Sequence, residues 1–143
     1  MSDAIGYLLK NAQSLLRLRM EESLRPQGLT VSHYSSLFRL QQQPGISASD
    51  LARATFMTRQ SMNELLQTLL DRGLVERPAV AASGRALPVS LTATGRAELA
   101  EAQRAVDAVE QRMLAGLGST EKSALASALA SCVSALASDG SAD

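Results

Sequence analysis

Thr58, Arg59, Gln60, Ser61 and Asn63 crowd into six consecutive positions. Their side chains carry the groups needed to read the edge of a base pair. A guanidinium can pair bidentately with O6 and N7 of guanine, and the carboxamide of Gln or Asn can do the same with N6 and N7 of adenine. The hydroxyls of Thr58 and Ser61, with the free N–H groups of a helix start, suit phosphate oxygens. Such groups act together only if one helix presents them on one side and buries the other. The spacing supplies that helix. Met62, Leu65, Leu66, Leu69 and Leu70 fall on one face of a segment capped by Thr58, and Arg59, Gln60, Asn63, Glu64 and Gln67 fall on the opposite face. Any solvated helix carries polar side chains, so this face alone does not separate DNA contact from a plain surface.

Composition removes other chemistries. One Cys and one His in 143 residues leave no ligand set for a structural zinc and no disulfide framework. A Ser-His-Asp triad would have to be built on His33, and no spacing of carboxylates points to a cleft. No catalytic residue, cofactor or metal is expected. Aromatic residues are 3% of the chain with no Trp, too few for a single-strand stacking platform. No apolar run approaches the roughly 18 residues of a membrane span, and no signal peptide is visible, so a cytoplasmic protein is expected.

The formal net charge is zero, with 14 basic and 14 acidic residues. That excludes a general polycation, yet the zero is a cancellation. Residues 25–96 hold eight arginines against four acids, a net of +4, whereas residues 97–143 hold three basic residues against seven acids, a net of −4. The excess of positive charge falls on the segment suspected of meeting phosphates.

The elements that position this segment can be read from periodicity and punctuation. Residues 4–24 carry Ile5, Leu8, Leu9, Ala12, Leu15, Leu16 and Met20 on one helix face, stopped by Pro26 and Gly28. Thr30 caps a second helix with Tyr34, Leu37, Phe38 and Leu40 inward, ended by Pro44-Gly45. A short strand through Ile46 leads to Ser47-Ala-Ser-Asp50, a start resembling a capping box for a helix to about Ala54. Gly73 sits where a left-handed residue closes the helix opened by Thr58. Leu74 to Arg77 and Leu87 to Leu91 read as strands joined by a turn at Ser83-Gly84, with Pro88 confining the second to an edge. Thr92 caps a long helix through Leu99, Val106, Val109, Met113 and Leu114, and Ser119 or Thr120 opens a last one through Leu125, Leu129, Cys132, Val133 and Leu136. The fold class is therefore mainly α with a small β-hairpin, a winged helix-turn-helix over residues 30–92. The flanking helices, 1–25 and 93–138, are too long and one-sided for that small core. Their stripes are expected to pack against each other and against a second copy of the chain.

The stretch SASDLARATFMTRQSMNELLQTLLDRGLVERP, followed by a short loop with Arg85 and then VSLTATG, resembles the MarR family of winged helix-turn-helix regulators. The LxxxGLVER closing the recognition helix and the VSLTxxG leading into the long helix are its most specific pieces, and the likeness covers nearly the whole chain. It implies a homodimeric regulator, a repressor, on a pseudo-palindromic double-stranded operator. Thr58, Arg59, Gln60, Ser61 and Asn63 would enter the major groove and Arg85, at the wing tip, the minor groove. Two departures stand out. Ser83 occupies the position where many members carry an Asp that steadies the wing arginine. Glu64 replaces a common basic residue, and a carboxylate cannot accept from a phosphate; Glu64 should pair with an Arg, contact cytosine N4 or lie off the DNA.

The resemblance also implies release by a small aromatic-acid or phenolic effector held between the dimer helices and the DNA-binding domain. Arg17, His33, Tyr34 and Met57 are the candidates: a guanidinium for a carboxylate, a His or Tyr for a phenol. The plainer role for Arg17 is a solvated helix residue, and for His33 and Tyr34 it is to cap or pad the second helix. Cys132 is the candidate for a thiol-sensing regulator, but its place on an apolar stripe beside Val133 favours a buried structural thiol. A winged-helix module binding protein instead of DNA is the remaining alternative, and the polar Arg59, Gln60 and Asn63 speak against it.

Overall fold

A computed structural model of the chain describes residues 3–78 and 88–138. The loop expected to form the wing tip, with Ser83 and Arg85, lies outside the described residues. The chain divides into two units, Met1–Val109 and Glu110–Asp143.

In the first unit, helix α1 spans Asp3–Leu24 and passes into a single 3-10 turn at Arg25–Gln27. Pro26 fits the first turn of such a helix, where its missing N–H has no partner to lose. Gly28 then reverses the chain at φ 68°. Helix α2, Val31–Gln42, opens on a reciprocal cap: Thr30 Oγ1 accepts the His33 N–H at 3.1 Å, and His33 Nδ1 accepts the Thr30 N–H at 3.1 Å. A cap of this kind contributes about 1 kcal/mol. Helix α3, Ala48–Ala54, is capped by Ser47, whose Oγ accepts the Asp50 N–H. Asp50 itself turns forward to Arg53, so the start is half of the expected box. Helix α4 spans Arg59–Asp71 with Thr58 as its cap, and Gly73 follows at φ 71°. Strands β1, Val75–Glu76, and β2, Ser90–Leu91, pair antiparallel with Val75 opposite Leu91. Helix α5 runs Ala93–Met113.

The core of this unit gathers the predicted inward faces: Leu37 and Leu40 of α2, Leu51 of α3, Met62, Leu65, Leu66 and Leu69 of α4, Val75 and Leu91 of the hairpin, and Leu99 and Ala102 of α5. Two expectations change. Ile46 is not in a strand; its N–H bonds the Gln43 carbonyl at 3.1 Å, a turn that needs no neighbouring strand. Phe38 is 37% exposed instead of fully inward, stacked on Tyr34 at a centroid separation of 6.1 Å. The stripe of α1 is outward, with Ile5, Leu8, Leu9 and Leu15 exposed and only Leu24, at its end, fully buried.

The two family-like motifs are the joint between recognition helix, hairpin and long helix. Thr92 Oγ1 donates to the Gly73 carbonyl at 2.6 Å and accepts the Gly95 N–H at 2.9 Å, while the Thr92 N–H reaches the Leu74 carbonyl. One hydroxyl thus caps α5 and ties it to the end of α4. Gly95 is required by the same closure, because a Cβ there would lie 1.9 Å from the Leu74 oxygen.

In the second unit, helix α6 spans Ser119–Ala137, and Glu121 Oε1 accepts the Gly118 N–H at its start. None of its residues is buried; Leu125, Leu129, Val133 and Leu136 all face outward. Cys132 is exposed, contrary to the buried thiol expected from its stripe. The reason is that α6 has no apolar partner within its own unit, so the whole stripe lies open.

Candidate nucleic-acid interface

The turn from α3 to α4 is closed by backbone bonds from Thr55 N–H to Leu51 O and from Met57 N–H to Ala52 O. Thr55 Oγ1 also donates to the Leu51 carbonyl at 2.7 Å. These bonds end α3 and leave Thr58 extended, at φ −74° and ψ 159°, where its Oγ1 accepts the Ser61 N–H. Burial of Met62, Leu65, Leu66 and Leu69 then fixes which side of α4 is outward.

Thr58, Arg59, Gln60, Ser61 and Asn63 are all exposed on the first two turns of α4. Arg59 makes no ion pair or hydrogen bond with its side chain among the described residues, so its guanidinium keeps all its donors. The Thr58 hydroxyl is half used, since it already accepts the helix cap; its proton remains for a phosphate. Asn63 borders a cleft of about 300 Å³ shared with Ser47 at the start of α3 and Arg77 beyond β1. Arg77, counted in the basic middle and placed at the end of the first strand but given no contact from the sequence, lies just beyond β1 on this cleft. Glu64 is exposed and pairs with no arginine among the described residues.

The arginines of the basic middle are not equivalent. Arg53 is bonded to Asp50, whose carboxyl is held below the usual carboxylate range by that guanidinium and by Ser47. Arg72 and Arg96 are spent on backbone carbonyls, of Gln27 and Gly28 and of Leu91. The net +4 of the segment overstates the cations available to phosphates.

The candidate effector residues separate into three places. Arg17 is exposed on α1 with Nη2 3.9 Å from Glu21 Oε1, and the same Glu21 oxygen accepts the Val31 N–H. His33 is near them, its Nδ1 engaged in the cap of α2. Burial lowers its pKa, the Arg72 guanidinium lowers it further, and Glu21 partly opposes both. Tyr34 is buried and donates its hydroxyl proton to Gln103 Oε1 of α5 at 2.7 Å. Met57 packs against the core from the turn. A second cleft, of about 350 Å³, is lined by Tyr34, Phe38, Arg39, Thr55 and Phe56. Of the four candidates it includes Tyr34 alone. Phe56 gave no sequence signal: it is 97% exposed and adopts φ 57°.

The family model for the MarR family matches residues 27–86. The HTH-type transcriptional repressor Rv2887 of Mycobacterium tuberculosis is 44% identical over 113 residues, covering 79% of this chain and 81% of that protein. The chain belongs to the MarR family. The crystal structure of the MarR family protein Rv2887 in complex with salicylic acid superimposes with a TM-score of 0.76 at 40% identity, covering 90% of this chain and 95% of the other. The transcriptional repressor CouR of Rhodococcus jostii RHA1, bound to a 23-mer DNA duplex, gives a TM-score of 0.82 at 32% identity, covering 92% of this chain and 94% of that one. Among the described residues, the chain is mainly helical with one small two-stranded antiparallel sheet. No helix among the described residues is long and apolar enough to cross a membrane.

Proposed function

We propose that this chain is a homodimeric transcriptional repressor that binds a pseudo-palindromic duplex and leaves it when a small aromatic acid or phenol binds. The observation that carries this reading is the outward first two turns of α4, with an unengaged Arg59 beside Gln60 and Asn63, on a helix fixed by the buried Met62, Leu65, Leu66 and Leu69. Residues 30–92 form the DNA-binding part, in which Arg59, Gln60, Ser61 and Asn63 meet base edges, Thr58 meets a phosphate and Arg85 enters the minor groove. Residues 1–25 and 93–138 form the dimerisation part. The open apolar stripes of α1 and α6 support it, since a free chain would otherwise leave both in water. The salicylic acid held by Rv2887 and the duplex held by CouR support the two ligand classes. Arg17, His33, Tyr34 and Met57 are the proposed effector residues, with Arg17 holding the carboxylate. Binding there shifts the spacing of the two DNA-binding parts, and affinity falls by the effector's preference for the wrong spacing.

A gel-shift titration with the duplex upstream of the protein's own coding region tests this reading, with and without millimolar salicylate. A retarded complex that falls apart in added salt and in salicylate supports it. A complex indifferent to both, or equal retardation of any duplex, removes it.

A further inference from the structure

Arg72 lies at the far end of α4 from the base-reading residues, and its guanidinium reaches back across 44 positions of sequence. Nη1 donates to the Gly28 carbonyl at 2.8 Å and Nη2 to the Gln27 carbonyl at 3.1 Å. Gln27 is itself fastened to α5: its Nε2 donates to the Glu98 carbonyl and to Glu98 Oε2, both at 2.9 Å. The turn that carries these acceptors is held from behind, by Gly28 N–H to Arg25 O and Leu29 N–H to Leu24 O at the end of α1. The left-handed Gly28 is what aims both carbonyls at one guanidinium, with Arg72 Nη2 3.6 Å from where a Cβ at Gly28 would stand.

We propose that Arg72 and Gln27 form a tie that sets the tilt of the recognition helix against α1 and α5, and so act as positioning residues for DNA binding. The inference rests on the DNA-binding reading above. A helix of 13 residues is about 20 Å long at 1.5 Å per residue. A tilt of about 5° at the Arg72 end moves the Arg59 end by nearly 2 Å, more than the tolerance of a bidentate base contact. The Gln27 side chain holds the turn to α5, and the backbone carbonyls of the turn hold Arg72. Losing the Gln27 side chain frees only the α5 side and leaves the turn on α1, whereas losing the Arg72 fork frees α4 from the turn outright, so the double variant should match Arg72→Lys. A lysine at position 72 keeps the charge but loses the fork, so Arg72→Lys isolates geometry from attraction to phosphate.

The test is fluorescence anisotropy of the full chain with the upstream duplex and a shuffled duplex of equal length, over a series of salt concentrations. The proteins are the unaltered chain, Arg72→Lys, Gln27→Ala and the double variant, each checked for an unchanged melting temperature. The tie predicts about tenfold weaker binding to the upstream duplex for Arg72→Lys, a smaller loss for Gln27→Ala, no loss in the double beyond that of Arg72→Lys, an unchanged salt slope and unchanged shuffled-duplex affinity. Losses that add, losses equal on both duplexes, or no loss overturn it. A salt slope lowered by about one in a further variant, Arg72→Ala, would instead make Arg72 a direct phosphate contact, which also overturns it. A second measurement needs no DNA. Nitroxide labels at Gln67→Cys and Glu101→Cys, in a Cys132→Ser background diluted with unlabelled protein, report the distance between α4 and α5. The tie predicts a distance distribution that broadens on Arg72→Lys; an unaltered distribution contradicts it. If the unaltered chain fails to discriminate the duplexes, the DNA-binding reading fails while the label distances still decide the tie.

Discussion

Phe56 stands at φ 57° with its ring 97% exposed, in the turn that aims the recognition helix. A side chain in the left-handed region costs about 1–2 kcal/mol, and a ring in water returns little of it by burial. Glycine adopts the same backbone freely but loses more entropy on folding. Phe56→Gly should therefore raise stability by about 0.5–1 kcal/mol, read as a higher urea midpoint; a lower midpoint would show that the ring is held. His33 makes a prediction of opposite kind. Its pKa is lowered in the fold, so the unfolded chain binds the proton more tightly and stability rises with pH through the window below the ordinary imidazole value. The contribution is complete above about pH 6.5 and is lost as pH falls through that value toward the lowered one. Melting temperature measured from pH 7.5 to 5.5 should fall less in His33→Gln, which keeps an acceptor for the Thr30 N–H and cannot titrate there; equal falls would contradict the assignment. At this scale the sequence spoke unevenly. The polar face of Arg59, Gln60 and Asn63 was legible because it follows from helical spacing. The backbone of Phe56 was not, since a left-handed Phe has no sequence mark, whereas the capping role offered for His33 is what the structure shows, its Nδ1 standing where a Glu or Gln is the usual partner.

At the scale of elements, caps and breakers carried most of the information. Thr30, Ser47, Thr58 and Thr92 each cap the helix their position announces, because a short hydroxyl before an apolar stripe has few other uses. The Gly of VSLTATG has a packing reason: Gly95 lies too close to the Leu74 carbonyl for any side chain. Gly95→Ala should cost about 3 kcal/mol by forcing α5 off the hairpin, visible as a drop in the urea midpoint; a loss under 1 kcal/mol would mean that the joint yields. Ser36 gives the converse case. It is fully buried in α2 and its Oγ has no partner among the described residues. Ser36→Ala should gain about 1 kcal/mol by removing a desolvated hydroxyl, measured in the same denaturation series; a loss would reveal a partner for the hydroxyl. The short strand placed at Ile46 failed for a physical reason. A β-branched residue beside Pro-Gly reads as extended, but a strand needs a neighbour, and the Ile46 N–H finds the Gln43 carbonyl first.

The whole molecule is where a single chain says least. The sequence marks α1 and α6 as one-sided, and both remain open to water along their apolar faces, from Ile5 and Leu8 to Leu129 and Leu136. Cys132 belongs to the same open face, which is why a stripe argument placed it inside and one chain leaves it outside. If a second copy covers these faces, sedimentation should give twice the chain mass of 15.1 kDa, and Leu8→Glu with Leu129→Glu should bring it to that of one chain. A monomeric unaltered protein would contradict the dimer. The net charge of zero conceals a basic middle, and even that middle spends Arg72 and Arg96 on its own backbone. Among the described residues, Arg59 is a cation left unengaged where a base edge would come. The most direct test is therefore the binding of Arg59→Ala to the upstream duplex and to a shuffled one, beside the unaltered chain. The account predicts that the unaltered chain prefers the upstream duplex and that Arg59→Ala loses about 1–3 kcal/mol on that duplex, with its shuffled-duplex affinity changed far less. Equal losses on both duplexes, or no preference in the unaltered chain, would contradict the claim that the first turns of α4 read sequence.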